Sequence, residues 1–121
     1  MVNIRRFYMK NKDKKLAVIE YDVDAHKFLR MRLSPKVDKI KDPLMIAAIA
    51  QGGYTEIGPE MTLRWVRERI IPPNRMNITE ILRAAKLPEY DELGMFIWHK
   101  GKCCQDNMYM EELAPDEEPE F

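Results

Sequence analysis

Apolar and polar positions alternate along the first third of the chain. NIRRFYMK (3–10) and KLAVIEYDV (15–23) change side at every residue, and NKDK between them reads as a turn. In the second run Ala17, Ile19, Tyr21 and Val23 form the face better suited to a core. Leu16, Val18 and Glu20 share the other face. DVDAH (22–26) turns the chain into a third run, KFLRMRL (27–33). These runs predict a three-stranded antiparallel meander, which needs a helix against one face to be stable.

The period then lengthens. SPKVDKIKD (34–42) breaks the alternation, and DPLMIAAIAQGG predicts a short buried helix over 43–51. Asp42 would cap it, Pro43 would open it and Gly52–Gly53 would stop it. YTEIGPE reads as a loop. In MTLRWVRERI (61–70) Leu63, Val66 and Ile70 fall on one stripe with Trp65 beside it. Pro72 and Pro73 end that helix, because neither ring nitrogen donates and the first disfavours helical geometry at Ile71. Asn77 with Glu80 resembles a capping box. It opens a helix through Leu87 with Ile78, Ile81, Leu82 and Ala85 inward. LPEYDEL turns again and GMFIWHK (94–100) reads as a strand. The expected fold class is α+β, an N-terminal antiparallel β-meander followed by a small helical part with a Pro-Pro helix–helix corner. Residues 1–110 would form one domain and residues 111–121 an acidic, flexible tail.

The chain has 121 residues, 45% hydrophobic and 33% charged, which suits a folded domain and excludes the disordered class. Its formal charge is zero but unevenly spread. The last eleven residues, EELAPDEEPEF, hold six carboxylates and no Lys or Arg, so the remainder carries 20 basic against 14 acidic residues. This asymmetry favours an interaction role. The start, MVNIRRFYMKNKDKK, lacks the apolar run of a signal peptide, and PLMIAAIA is far shorter than a membrane span. Cys103 and Cys104 are adjacent, which suits reduced thiols in a cytoplasmic protein.

The densest chemistry lies in RWVRERIIPPNRMNITEIL, which places four arginines around the proline corner. Arg64 and Arg67 belong to a solvated, salt-laced helix face that also holds Glu68. Arg75 either bonds the carbonyls ending the first helix, as a clamp, or receives an anion. The corner IPPNRM is longer and stiffer than a helix-turn-helix joint, and Glu80 faces outward where phosphate would lie. Arg30 and Arg32, with Arg5 and Phe7, offer a different nucleic-acid surface on the sheet. His99, Cys103, Cys104 and Asp106 form a single cluster, where a closed zinc site needs two converging pairs, so no metal or other cofactor is expected. No phosphate loop, nucleophile elbow or kinase catalytic loop is present. The chain therefore reads as a non-enzymatic binding module. Arg64, Arg67, Arg75, Arg83, Arg30 and Arg32 are its candidate partner contacts, with a nucleic-acid-binding regulator as the alternative.

The segment Arg67 to Tyr109, with R-x-R-I-I-P-P-N-R-x-N-I-x-E-I-L followed by G-K-C-C-Q-D-N-M-Y, resembles an uncharacterised module found with HipA-like kinase proteins of Firmicutes and their mobile elements. The matching positions are Arg69, Ile71, Pro72 and Arg75, then Gly101, Asp106 and Tyr109. The chain departs from that pattern where no Trp follows Tyr109 and where CCQD replaces small and polar residues. The resemblance implies an accessory or regulatory protein of a toxin–antitoxin or prophage locus, with a kinase-type or host-protein partner.

Overall fold

The computed structural model describes residues 3–121. Strands β1 (Ile4–Asn11), β2 (Lys14–Asp22) and β3 (Lys27–Leu33) form the expected antiparallel meander. Two short strands widen it. β4 (Glu56–Ile57) pairs with β3 and β5 (Tyr109–Glu112) with β1, giving the order β4-β3-β2-β1-β5. Helices α1 (Leu44–Gln51), α2 (Pro59–Arg67), α3 (Ile78–Ala84) and α4 (Glu92–Trp98) complete an α+β fold.

The alternation divides the sheet into two unlike faces. Phe7, Ile19 and Met31 stand opposite one another across β1, β2 and β3. With Met9, Ala17 and Tyr21 they join Ile46, Trp65, Val66, Met95 and Phe96 in the main core. Phe7 and Phe96 meet edge to face with centroids 6.2 Å apart, the arrangement that aromatic quadrupoles favour. The next residues along, Tyr8 and Val18, point to the other face and form a small separate cluster with Leu113.

Five expectations change. GMFIWHK lies in α4 rather than a strand: the Asp91 carboxylate accepts the Gly94 N–H at 3.0 Å and caps a helix that buries Leu93, Met95 and Phe96. A short apolar run does not reveal its own period, and here the cap decided it. Asn77 occupies the N-cap position of α3, yet its side chain makes no capping hydrogen bond. That helix ends at Ala84, where Lys86 turns into the left-handed region at φ 60° and the Leu87 N–H donates to the Leu82 carbonyl at 2.9 Å. Asp42 does not cap α1 but accepts from the Asp38 N–H at 2.6 Å and the Lys14 ammonium at 2.7 Å, pinning the connector. Finally, the expected boundary at residue 110 falls inside β5. Glu111 and Glu112 are paired with β1 and Leu113 is buried.

Candidate functional site

Arg69 follows α2 and is fully buried at its side chain. Its guanidinium is saturated. Nε and Nη2 donate to the Gly101 carbonyl at 2.9 and 2.7 Å, and Nη1 and Nη2 fork onto Asp106 at 2.8 and 2.9 Å. The remaining Nη1–H faces the Met45 sulfur at 3.2 Å, so all five N–H donors have an acceptor. The Trp65 ring lies 5.1 Å from the guanidinium carbon, and its indole N–H donates to the Met45 carbonyl at 2.8 Å. Gly101 can approach because it adopts φ 70°, and an added Cβ would stand 2.7 Å from Met110 Cβ. Arg69, Gly101 and Asp106, three of the positions that carried the resemblance, thus meet in one buried clamp. Tyr109 lies apart from it and donates its hydroxyl to Asp13 at 3.0 Å, at the β1–β2 turn.

The clamp holds the loop at 99–108 against the proline corner. Between them runs a groove of about 410 Å³. Ile70, Ile71 and Pro72 supply apolar lining, and Glu68, Arg75, His99, Lys102, Cys103 and Cys104 supply the rest. Tyr90 steadies the corner by donating its hydroxyl to the Ile71 carbonyl at 2.7 Å. The expected clamp role of Arg75 is corrected. Its side chain is exposed and makes no hydrogen bond or ion pair among the described residues; the clamp here is buried Arg69, which holds the later loop through Gly101 and Asp106 and not the carbonyls ending α2. Met76 beside it is fully exposed and Pro72 is exposed. His99 has its Nε2 buried without a partner, and burial holds its pKa below the ordinary histidine value.

The other predicted cations are dispersed. Arg67 is exposed and pairs with Glu92 at 2.7 Å. Arg64 lines a shallow depression with Met61, Trp65 and Glu68, and Arg83 is exposed at the last turn of α3. Arg30 and Arg32 lie on the outer sheet face, away from the helices. Arg5 and Phe7 belong to the opposite face, and Phe7 is buried, so the expected mixed surface of Arg5, Phe7, Arg30 and Arg32 does not exist. The alternation of β1 separates them.

In its place the outer face carries a group that sequence reasoning missed. Glu20 is buried, and its carboxylate is met by Arg6 at 3.3 Å, by Arg32 at 3.5 Å and by Arg30 in close contact. The hydrogen bond to Glu20 raises the pKa of Arg30. The register Arg6↔Glu20↔Arg30 was the available signal, since a carboxylate flanked by arginines in both neighbouring strands forms a ladder. No group of three or more His, Cys, Asp or Glu side chains converges on a metal position among the described residues, and Asp106 belongs to Arg69. No helix among them is long and apolar enough to cross a membrane. No family model, curated protein or solved structure matches this chain.

Proposed function

We propose that the chain acts as a non-enzymatic accessory or regulatory protein that binds another protein through the groove at the proline corner. One observation carries this reading: the walls of the groove are locked from below by Arg69 and Tyr90, while Arg75 and Lys102 on its rim form no side-chain hydrogen bond or ion pair among the described residues and Met76 beside Arg75 is fully exposed. A rigid corner loses little entropy on binding. Arginine and methionine are enriched in interface cores, where an apolar floor under a cationic rim suits an acidic partner surface with an apolar anchor. The resemblance to the module found with HipA-like kinase proteins supports a kinase-type partner.

Tagged full-length protein, purified from its host with and without nuclease, tests this. One dominant protein survives nuclease and is lost from the double variant Arg75→Ala/Met76→Ala, whose thermal midpoint stays at the wild-type value. Retention of that partner by the variant rejects the groove as the binding surface. A retinue that disappears with nuclease makes the chain a nucleic-acid binder.

A further inference from the structure

The outer face of the sheet is a second surface, independent of the groove. It holds three guanidinium groups, Arg6, Arg30 and Arg32, around the single carboxylate of Glu20, with Glu56 3.9 Å from Arg30. Cation therefore exceeds carboxylate there. The Nε of Arg32 is buried and forms no hydrogen bond among the described residues, its 3.5 Å approach to Glu20 being an ion pair only. Arginines clustered so closely repel one another, and added carboxylate relieves that cost.

The same face already accepts an acidic polypeptide, the chain's own C-terminal segment. Glu111 pairs with Lys10 at 3.0 Å, and the Leu113 N–H donates to the Arg6 carbonyl at 2.9 Å. The Leu113 side chain is buried with Tyr8 and Val18. Further on, the Glu120 N–H donates to the Tyr8 hydroxyl at 2.9 Å, so residues 114–121 return across the Tyr8 end of the face. They do so through backbone and apolar contacts. Asp116, Glu117, Glu118 and Glu120 form no ion pair among the described residues, and none neutralises the arginine cluster.

We propose that this face is a docking site for an acidic segment of a partner protein, and that residues 114–121 form a displaceable cover over its Tyr8 end. A polypeptide fits better than a nucleic acid. Single-stranded nucleic acid needs open rings for its bases, and the ring at the centre of this face, Tyr8, has Lys15 4.5 Å and Lys10 5.9 Å from its centroid, cations that stay on the ring when the cover leaves. An acidic segment instead extends to the arginines what the chain's own segment does with Glu111 on Lys10 and Leu113 beside Val18.

The test uses fluorescence anisotropy with two labelled probes, a peptide of the sequence EELAPDEEPEF and a single-stranded oligonucleotide of equal charge. Leu113→Asp opens the cover in the full-length chain and tightens peptide binding about tenfold or more over wild type, the scale of one buried leucine. Adding Arg30→Gln and Arg32→Gln abolishes the gain. Tyr8→Phe, which removes only the hydroxyl that Glu120 uses, tightens binding about threefold and serves if Leu113→Asp does not fold. Equal peptide affinity in wild type and both cover variants overturns the cover. Binding that survives loss of the two arginines overturns the docking site. Tighter binding of the oligonucleotide than of the peptide makes the face a nucleic-acid surface and also overturns it.

Discussion

The clamp at Arg69 and the cluster at Glu20 are both arginine–carboxylate sites, and they are built in opposite ways. At Arg69 one guanidinium meets one carboxylate and a carbonyl, every donor is used and the side chain is fully buried. At Glu20 one buried carboxylate is shared by three partly exposed guanidinium groups, so the carboxylate is saturated and the arginines are not. A saturated, dry pair holds structure and has nothing left to offer a ligand. A shared pair with surplus cation keeps donors for something else. The groove at the corner follows the same division. Arg69 locks it from beneath, and Arg75 above has no partner among the described residues.

Removal of either member therefore separates the sites. Arg69→Ala strands Asp106 and the Gly101 carbonyl and costs about 3–5 kcal/mol of unfolding free energy, read from urea denaturation. Arg69→Lys recovers only part of it, because an ammonium cannot fork onto Asp106 and reach Gly101 together. Gly101→Ala attacks the same clamp through the backbone, where φ 70° and the 2.7 Å approach to Met110 Cβ give an expected cost of about 1–3 kcal/mol. If this substitution proves neutral, the loop closes without the clamp geometry.

Glu20→Gln leaves three arginines facing an amide and costs about 1–2 kcal/mol at low salt, less at high salt as screening relieves their repulsion. A salt-independent loss would show that Glu20 acts by packing rather than by charge. The smallest effect concerns His99, whose pKa in the fold is held down by burial. A depressed histidine favours the neutral form, so its contribution is intact above the unfolded value of about 6.5 and declines as pH falls through the window below it. His99→Gln flattens that decline in thermal melts taken between neutral pH and about pH 5.5. An unchanged slope would place the acid sensitivity elsewhere.

Local pattern made much of the molecule legible. The three strands followed from alternation, and Ala17, Ile19 and Tyr21 do face the core. Val66, Ile70 and Trp65 are buried on the helix side as their spacing required. The motif positions Arg69, Gly101 and Asp106 were identifiable as a set, but their contact was not, because 32 residues separate Arg69 from Gly101 and 37 separate it from Asp106. Arg75 looked like the clamp because it sits nearest the corner in sequence. Burial chose Arg69 instead, and no local pattern reports which of two arginines lies beneath a loop that arrives later.

The acidic C-terminal residues show the same limit. By composition they read as a solvated tail, and only pairing with β1 turned Glu111 and Glu112 into strand residues and Leu113 into a buried anchor. By itself the sequence determined the meander, the two-faced sheet, the proline corner and the charge asymmetry, because each depends on neighbours a few residues away. The tertiary structure alone decided which cations are spent and which are free. Ion pairing depends on distance in space and on water, and neither is written in the spacing along the chain.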